Sequence, residues 1–395
     1  MKRSIKDLDV KGKKVLLRLD LNVPLDKRTG EILDKTRIME SLATINYLCD
    51  RGAKIIICSH LGRPEGVDKK YSLKVVADAL SKLVKNKIVF SEDIVGADTK
   101  KKVKDLQDGE ILLLENLRFD KREEENDEKF CKELASLADI YVNDAFGTAH
   151  RKHASTYGVA KILPNAVGFL MNKEIKVLNQ ILENPERPFV AILGGAKIKD
   201  KIPVIENLIN KADTILIGGG MAYTFVKALG GKIGKSLVDE EKIEFCKSLI
   251  KKAEDKKINF VLPVDTLCNT EYSNEGKIKK FSIGNIPDEY EGLDIGPKTI
   301  KIFKKYLKNA GTIVWNGPLG VSEFKKFSKG TFKIAKVIAN SDAFSFIGGG
   351  DSASAIVKSG YAKKVSHIST GGGASLNMLE GKVLPGVTVI EEVKE

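Results

Sequence analysis

In the stretch "TILIGGGMAYTFVKAL" (residues 214–229), a short apolar run leads through three glycines into a helical pattern. Short runs of mostly β-branched residues without alternation are typical of strands that are buried on both faces. The same succession of apolar run, polar or glycine-rich ending and helix recurs along the chain. Strands that alternate with helices in this way predict parallel sheets and an α/β fold.

Apolar runs of this kind occur in both halves of the 395-residue chain. They lie at residues 15–21, 54–60, 87–90, 110–116 and 139–144 in the first half, and at 189–195, 214–220, 259–265, 312–318, 344–351 and 365–373 in the second. The length and the number of runs predict two domains, each with a doubly wound, mostly parallel sheet. Ligands of such folds bind beyond the carboxyl ends of the strands, so the polar strand endings are the places to search for a site.

Amphipathic helical patterns separate the apolar runs. One of them covers residues 36–52, where an apolar stripe is followed by a glycine that stops the helix, and residues 72–84 and 239–256 repeat the pattern. Residues 171–188 form a further helical pattern that ends in two prolines. We predict that this helix joins the two domains.

The composition predicts a globular protein, with 42% apolar and 30% charged residues. No apolar run approaches the roughly 18 residues that a membrane span needs, and the N-terminus has no apolar region of a signal peptide. We therefore expect a cytoplasmic protein with no membrane contact. The five cysteines are scattered without a C-x-x-C pair, so we expect core thiols instead of a disulfide framework or a zinc site.

The net charge of +13 raises the possibility of nucleic-acid binding, but the type of basic residue is more informative. Only ten of the 66 basic residues are arginines, and nine of these lie at or before position 151. A guanidinium offers a planar fork to carboxylate or phosphate, whereas an ammonium acts as a point charge. The first half of the chain is therefore predicted to bind a small anion.

The strand endings of the first half collect the scarce arginines and three of the four histidines. They read "RLDLNVP", "CSHLGRP", "ENLRF" and "NDAFGTAHRKHAS", and with "KTRI" at the start of the first long helix they contain Arg18, Arg37, Arg63, Arg118, Arg151, His60, His150 and His153. Together these side chains would form a site for a small polyanion. The alternatives are that each arginine pairs with a neighbouring carboxylate and that each histidine is an ordinary core residue.

The strand endings of the second half are rich in glycine. They read "ILGGAKIKDK", "LIGGGMAY", "WNGPLG", "FIGGGDSAS" and "ISTGGGAS". Glycines between a strand and a helix let backbone N–H groups approach phosphate oxygens, although glycine also serves in ordinary tight turns. Lys197 and Lys201 could meet phosphate charge, and Asp351 beside phosphates indicates Mg²⁺.

The chain lacks two common nucleotide-binding motifs, although one segment resembles the first of them. "GGKIGKS" (residues 230–236) resembles a P-loop, but it has one residue too few between its glycines and follows a helix, so we interpret it as a loop. No G-x-G-x-x-G follows a strand with an acidic residue about twenty positions later, which counts against a dinucleotide-dependent dehydrogenase.

Nine motifs, taken in order, closely resemble the phosphoglycerate kinase family across essentially the whole chain. They are "RLDLNVP", "SHLGRP", "ENLRF", "NDAFGTAHRKHAS", "GGAKIKDK", "GGGMAYTF", "VWNGPLGVSE", "GGGDS" and "STGGGAS". The resemblance implies reversible transfer of the γ-phosphoryl of MgATP to the carboxylate of 3-phosphoglycerate, giving 1,3-bisphosphoglycerate and ADP, and run toward ATP in glycolysis. It also implies two Rossmann-like domains that face each other across a cleft and close around a hinge.

The resemblance assigns roles to individual residues of this chain. For 3-phosphoglycerate it implies Asp20, Asn22, Arg37, His60, Arg63, Arg118 and Arg151. For ATP or ADP it implies Gly195, Lys201, Gly219, Gly292, Asn316, Glu323, Gly349, Gly350, Asp351 and Ser352, with Asp351 on Mg²⁺. For the transferring phosphoryl group it implies Arg37, Lys197, Gly371, Gly372 and Gly373. Ser352 departs from the threonine that is usual in the family but keeps the hydroxyl.

The resemblance also implies a domain organisation. An N-terminal domain for 3-phosphoglycerate would comprise residues 1–170 and about 377–395, because the family returns its C-terminal peptide to the first domain. Residues 171–185 would form the inter-domain helix and residues 186–376 the nucleotide domain. We further expect a monomer that needs no nucleic acid.

Two other functions stay open at this point. Another acyl-phosphate kinase with two domains would transfer phosphoryl to acetate or aspartate in place of 3-phosphoglycerate. A basic nucleic-acid-binding protein would show binding that falls steeply with salt and no nucleotide turnover. The scarcity of arginine in the second half and the lack of interleaved aromatic and basic residues count against the latter.

Overall fold

The computed structural model of the chain describes residues 1–393, which form two compact units. The N-terminal unit comprises Met1–Val177 and the C-terminal segment from Val383, and the C-terminal unit comprises Leu178–Lys382. The division falls inside one helix, Phe169–Glu183. Of the residues that the sequence assigns to the first domain, Lys394 and Glu395 lie outside the described residues.

The main sheet of the N-terminal unit is parallel throughout. Its strands are β1 (Lys14–Arg18), β2 (Lys54–Cys58), β3 (Ile88–Phe90), β4 (Ile111–Leu113), β5 (Ile140–Asn143) and β6 (Asn165–Val167). Their spatial order is β3-β4-β2-β1-β5-β6, so the chain winds outward from β1 in both directions. This is the doubly wound arrangement expected from the sequence, with the short strand β6 as an addition.

Burial on both faces explains why these strands carry continuous apolar runs. The neighbouring residues Leu16 and Leu17 of β1 point to opposite faces of the sheet, and neither is exposed to solvent. Ile56 and Ile57 lie beside them in β2 and are equally buried. Burying each such side chain contributes about 1.5–3 kcal/mol, so the sheet is the core of the unit.

Helices connect the strands of the N-terminal unit. The α-helices are α1 (Thr36–Asp50), α2 (Lys74–Leu80), α3 (Ala97–Asp105), α4 (Arg122–Glu125), α5 (Glu128–Ala135) and α6 (Phe169–Glu183). Short 3₁₀ turns lie at Ile5–Asp7, Lys69–Tyr71, Leu117–Phe119, Phe146–Thr148 and Val159–Lys161, and a π-helical turn lies at Ala154–Gly158. The helix α6 begins two residues before the predicted position and ends ahead of both prolines.

The C-terminal unit repeats the architecture. Its main sheet contains β7 (Phe189–Leu193), β8 (Thr214–Ile217), β10 (Asn259–Val261), β15 (Thr312–Asn316), β16 (Phe344–Gly348) and β17 (His367–Ile368), and its smaller strands are β9 (Lys232–Ile233), β11 (Asp265–Asn269), β12 (Lys279–Ser282), β13 (Asn285–Ile286) and β14 (Glu291–Ile295). The main sheet has the order β10-β8-β7-β15-β16-β17 and is parallel. All six predicted apolar runs of the second half contribute to it.

The smaller strands form structure that the sequence patterns did not predict. The strands β12, β11 and β14 make an antiparallel sheet, and β9 pairs with β13. The predicted strand at 259–265 was too long, because β10 ends before Pro263 and the chain enters the second sheet at Asp265. The segment 230–236, interpreted as a loop, contains the two-residue strand β9.

The helices of the C-terminal unit begin at the ends of its strands. They are α7 (Ile202–Leu208), α8 (Ala222–Ala228), α9 (Ile243–Asp255), α10 (Pro297–Lys308), α11 (Lys329–Ala339), α12 (Gly350–Lys358) and α13 (Gly372–Leu379), with 3₁₀ turns at Glu240–Lys242 and Ala362–Lys364. Buried carboxylates start two of them. Asp265 accepts from the N–H of Thr299 at 2.8 Å in α10, and Asp294 accepts from that of Gly330 at 2.7 Å in α11.

The C-terminal segment belongs to the N-terminal unit. It contains the short helix α14 (Pro385–Thr388) and reaches the first residues of the chain, where the N–H of Arg3 donates to the carbonyl of Glu391 at 2.8 Å. Lys2 and Glu392 form an antiparallel bridge beside it. No helix within residues 1–393 is long and apolar enough to cross a membrane. All five cysteines are buried free thiols, as predicted.

Candidate functional site

The ends of four neighbouring strands bring arginines together in the N-terminal unit. Arg18 is the last residue of β1, His60 follows β2, Arg118 lies in the turn after β4, and Arg151 follows β5. These strands are adjacent in the order β4-β2-β1-β5, so their carboxyl ends meet at one edge of the sheet. We call Arg18, Arg37, Arg63, Arg118 and Arg151 the arginine cluster.

The surroundings of His60 show that the electrostatic potential at this edge of the sheet is positive. Its side chain is 5% exposed. Burial lowers the pKa of His60 well below its usual range, and Arg18, Arg118, Arg37 and Arg151 lower it further. The ring is therefore neutral at pH 7, in the middle of four guanidinium groups.

Arg118 is buried within the same cluster. Burial lowers its pKa, Glu124 at 3.3 Å opposes the shift, and the charges of Arg151, Arg18 and Arg63 lower it again. Because like charges that lie close together favour an anionic ligand between them, this edge of the sheet can hold a small polyanion.

Part of the positive charge is already balanced by carboxylates. Arg37 forms an ion pair with Asp20, and Arg118 pairs with Glu124. Within residues 1–393, Arg18, Arg63 and Arg151 have no ion pair, and Arg18 is bonded to neutral groups instead. The alternative that every arginine pairs with a neighbouring carboxylate therefore holds for some members of the cluster and fails for others.

Asp20 and Asn22 shape the loop that follows β1. The N–H of Asn22 donates to Oδ1 of Asp20 at 3.3 Å, and Oδ1 of Asn22 accepts from the N–H of Gly62 at 2.8 Å. The second bond ties the loop after β1 to the loop after β2. The two residues thus lie beside the cluster that the sequence predicted them to join.

The histidines of "AHRKHAS" lie next to Arg151. Nε of Arg151 donates to Nε2 of His150 at 3.2 Å. Burial lowers the pKa of His150, and burial together with Arg151, Arg18 and Arg118 lowers the pKa of His153 to about 4. Both rings are therefore neutral at pH 7, and the positive charge of this segment belongs to its arginine.

The sequence patterns missed two residues that support the cluster. Ser155 and Glu123 are buried, and Oγ of Ser155 accepts from Nε of Arg18 at 3.0 Å while donating to Oε1 of Glu123 at 2.6 Å. Glu123 belongs to the acidic run "REEE", which is typical of a solvated helix end. No local signal distinguishes it from its exposed neighbours.

Glycines follow the strands of the main sheet in the C-terminal unit. Gly195 and Gly219 lie two residues beyond β7 and β8, Gly349 follows β16, and Gly371 lies beyond β17. Asn316 ends β15 between them. The residues predicted for the second ligand therefore also lie at the carboxyl edge of a parallel sheet.

A cavity of about 300 Å³ opens beside these glycines. Its walls include five of the predicted nucleotide residues, Gly195, Gly219, Gly292, Glu323 and Asp351. The rest of the lining is largely apolar; it includes Pro318 and Leu319 of the ending "WNGPLG", and the wall residues Leu293 and Tyr272, which the sequence patterns missed. An apolar enclosure with a few polar groups and exposed backbone is suited to a nucleotide.

Different physical reasons require glycine at three positions of the cavity wall. A Cβ at Gly219, where φ is +66°, would lie 2.6 Å from the backbone nitrogen of Gly195 and 2.8 Å from the carbonyl oxygen of Pro318. A Cβ at Gly292 would lie 1.8 Å from the hydroxyl of Tyr223. At Gly195, where φ is +100°, the space is open. Only Gly195 therefore leaves room for an approaching ligand.

Other predicted residues of this unit lie outside the cavity wall. Nζ of Lys201 donates to Oδ1 of Asn316, and burial lowers the pKa of Lys201 against the opposing charges of Asp200 and Asp351. Lys197 is exposed. The two lysines are thus in different environments although they lie four residues apart.

The turn that starts α12 combines open backbone with one fixed hydroxyl. Gly349 has φ of +88°, and a Cβ at Gly350 would meet nothing within 4 Å, as is also true of Gly372 at the start of α13. Ser352 is buried, and its Oγ accepts from the N–H of Gly317 at 2.6 Å. The serine that replaces the usual threonine therefore keeps a structural role for its hydroxyl.

Asp351 is the residue that fits a metal ion. Its carboxylate is exposed at the first turn of α12 and lines the cavity. Within residues 1–393 no group of three or more His, Cys, Asp or Glu side chains could hold a metal ion. One carboxylate without a protein cage fits Mg²⁺ that is held mainly by substrate phosphates.

Known proteins match the chain along its length. A family model described as phosphoglycerate kinase matches residues 5–382. A phosphoglycerate kinase of Clostridium botulinum is 53% identical over 395 residues, and one of Finegoldia magna is 54% identical over 394 residues. Each alignment covers 99% of this chain and 99% of the relative.

Solved structures match the fold as well. A phosphoglycerate kinase structure from Coxiella burnetii superimposes with a TM-score of 0.90 at 40% identity, and one from Pyrococcus horikoshii with a TM-score of 0.81 at 36% identity. Each match covers 98% of both chains. The predicted fold class is confirmed.

Proposed function

This chain belongs to the phosphoglycerate kinase family, and from that premise we propose that its arginine cluster binds 3-phosphoglycerate and its glycine-lined cavity binds ATP or ADP. The chain is a kinase. The reaction of the family is reversible transfer of the γ-phosphoryl of ATP to the carboxylate of 3-phosphoglycerate, which yields 1,3-bisphosphoglycerate and ADP. In glycolysis the reaction runs toward ATP.

One observation carries the acceptor assignment. Within residues 1–393, Arg63 and Arg151 lack an ion pair although both lie among other guanidinium groups. A ligand that bears a phosphate and a carboxylate supplies the missing negative charge. The residues that we assign to it are Asp20, Asn22, Arg37, His60, Arg63, Arg118 and Arg151.

The cavity of the C-terminal unit supports the nucleotide assignment. Its open glycine backbone suits phosphate, and its apolar wall suits a base. We assign to the nucleotide Gly195, Lys201, Gly219, Gly292, Asn316, Glu323, Gly349, Gly350, Asp351 and Ser352. Asp351 would hold Mg²⁺ together with the phosphates, and the ion would neutralise part of their charge.

Phosphoryl transfer to a carboxylate depends on the positioning of the two reactants more than on removal of a proton from the acceptor. The acceptor carboxylate has a pKa far below 7 and is already ionised, so no general base is required. We assign the stabilisation of the phosphoryl group during its transfer to Arg37, Lys197, Gly371, Gly372 and Gly373. Because the ligands bind to different units, we expect closure when both are bound, which also excludes water.

We further propose that the enzyme is a monomer of the cytoplasm. Five buried free thiols support a reducing compartment. The acceptor and nucleotide sites each lie within a unit of one chain, so a second copy is not needed to complete either of them. Sedimentation of the purified chain at micromolar concentration would test the oligomeric state.

An assay of ADP formation that depends on 3-phosphoglycerate tests the proposed function. We expect turnover with MgATP and 3-phosphoglycerate and none without either. Turnover with acetate or aspartate in place of 3-phosphoglycerate would instead assign another acyl-phosphate kinase activity. Salt-sensitive nucleic-acid binding without turnover would overturn the proposal altogether.

A further inference from the structure

Arg18 is the least exposed member of the arginine cluster, and its donors are directed at the protein. It is 1% exposed. Its Nε donates to Oγ of Ser155 at 3.0 Å, one terminal nitrogen donates to the carbonyl of Leu19, and the other lies 3.3 Å from Nδ1 of His60. Three of its five N–H donors are thus used within the protein, and the side chain has almost no exposed surface for a ligand.

The contact between Arg18 and His60 decides which ring nitrogen carries the proton. A guanidinium has five N–H donors and no acceptor, so Nδ1 of His60 must be the acceptor. In a neutral imidazole the proton is then on Nε2. Within residues 1–393 no side chain or backbone group accepts a hydrogen bond from Nε2, which leaves this donor for a ligand.

Ser155 and Glu123 hold Arg18 from the other side. Because Nε of Arg18 can only donate, Oγ of Ser155 accepts from it and directs its single proton to Oε1 of Glu123 at 2.6 Å. The N–H of Ser155 donates to Oε2 of the same carboxylate at 3.0 Å. Both carboxylate oxygens thus accept from Ser155, which fixes the position of its hydroxyl.

The four residues come from separate parts of the N-terminal unit. Arg18 ends β1, His60 follows β2, Glu123 lies in α4, and Ser155 lies in the π-helical turn. The hydroxyl of Tyr141 donates to the carbonyl of Ser155 at 2.6 Å and fixes that turn. Residues that are distant in sequence therefore form one hydrogen-bonded chain that ends at His60.

We propose that Glu123, Ser155 and Arg18 are positioning residues that hold His60 as the neutral Nε2–H tautomer, so that His60 meets the acceptor substrate as a hydrogen-bond donor. The inference rests on the proposed function only for the identity of that substrate. It removes Arg18 from direct substrate contact and gives His60 a donor role that complements the charges of Arg63 and Arg151.

Nitrogen NMR of the full-length enzyme with ¹⁵N-labelled histidine tests the tautomer without any substrate. The chain has four histidines, and loss of one signal set in His60→Gln assigns His60. We expect a bare Nδ1 and a protonated Nε2 from pH 6 to 8, with no titration, because His60 faces Arg18, Arg37, Arg118 and Arg151. A protonated Nδ1, or titration near pH 6.5, would overturn the proposal.

The variant Ser155→Ala tests the positioning chain, with Ser91→Ala as its matched control. Ser91 is also a buried, hydrogen-bonded serine of the N-terminal unit, but its partners are Asp98 and Thr99. We expect Ser155→Ala to give mixed His60 tautomers and to raise KM for 3-phosphoglycerate about fivefold, the effect of one lost hydrogen bond, with KM for ATP unchanged. Ser91→Ala should change neither quantity.

Two results would show that the chain of hydrogen bonds is only structural. One is an unchanged tautomer and KM in Ser155→Ala, and the other is equal loss of thermal stability in both serine variants with normal kinetics. Glu123→Gln provides a second variant. The glutamine amide keeps the shape of the side chain, but it cannot accept hydrogen bonds from both the hydroxyl and the N–H of Ser155. Failure of 3-phosphoglycerate turnover in the unaltered enzyme would refute the proposed function and leave the tautomer result standing.

Discussion

The two units present positive potential to a ligand by different means. In the N-terminal unit the potential comes from guanidinium groups that are partly buried and lie close enough to shift each other's pKa values. In the C-terminal unit it comes mainly from backbone at glycine turns, of which Gly195 and Gly350 have open space where a side chain would be. Both arrangements lie at the carboxyl edge of a parallel sheet.

The comparison separates two sources of specificity. A guanidinium fork recognises the geometry of an anion, and it can be removed by one substitution that leaves the backbone in place. A backbone N–H group is removed only by proline, which also constrains the backbone, and a substitution at Gly219 or Gly292 disturbs packing before it affects a ligand. We therefore expect kinetic effects from substitutions in the arginine cluster and stability effects from substitutions at the closely packed Gly219 and Gly292.

Lys197→Ala is the change with the largest expected effect, because Lys197 is a side-chain charge in the unit that relies on backbone. We expect kcat to fall by about 10²–10³, the cost of one preorganised electrostatic contact, with the dissociation constants of both substrates nearly unchanged. Lys199→Ala, also exposed, is the control. Loss of ATP affinity at unaltered kcat would assign Lys197 to ground-state binding of ATP. No change in either kcat or affinity would show that Lys197 is a solvated surface residue without a role in the reaction.

Arg151→Lys tests whether geometry or charge matters in the arginine cluster. The lysine keeps the charge but loses the planar fork, so we expect KM for 3-phosphoglycerate to rise about 10- to 100-fold, as when charged hydrogen bonds are lost. KM for ATP should stay nearly constant. An unchanged acceptor KM in steady-state assays would remove Arg151 from the substrate site.

Gly219→Ala and Gly372→Ala separate packing from ligand approach. At Gly219 a methyl group meets backbone at 2.6 Å with φ of +66°, so we expect a loss of about 1–3 kcal/mol in the unfolding free energy. At Gly372 the space is open, so urea unfolding should be nearly unchanged while kcat falls. Equal stability of the two variants would contradict the distinction.

His153→Gln tests the buried neutral histidines by their pH dependence. The folded pKa of His153 is about 4, below the ordinary 6.5, so the unfolded chain binds a proton first as the pH falls. Stability should therefore decrease between pH 6.5 and 4, and the decrease should be shallower in His153→Gln. Calorimetric melting temperatures across this pH range measure the decrease in stability. An equal decrease in the two proteins would contradict the prediction.

Ligand-induced closure is the smallest effect that we expect to measure. Binding of 3-phosphoglycerate and nucleotide together should lower the radius of gyration more than either ligand alone, because transfer requires the two ligands to meet. Small-angle scattering of the free, binary and ternary states measures the change. Identical dimensions in all states would count against a hinge near residues 171–188.

The sequence alone indicated most of the architecture and the strand ends at which the candidate site residues lie. Eleven apolar runs located the strands of the two main sheets except β6, and the motifs after them located the arginine cluster and the glycine turns. These features can be recognised in the sequence because buried strands, amphipathic helices and glycine turns each leave a pattern in a few consecutive residues. The scarcity of arginine pointed to the cluster without any knowledge of the fold.

Only the tertiary structure decided what depends on residues distant in sequence. The three residues of β6 carry too short a pattern, and the antiparallel strands alternate with turns that have no strong periodicity. Gly292 owes its identity to the hydroxyl of Tyr223. Arg18 turns inward because Ser155, 137 positions away, and Glu123 lie against it, and burial of a charge is a property of packed segments that no local run of residues contains.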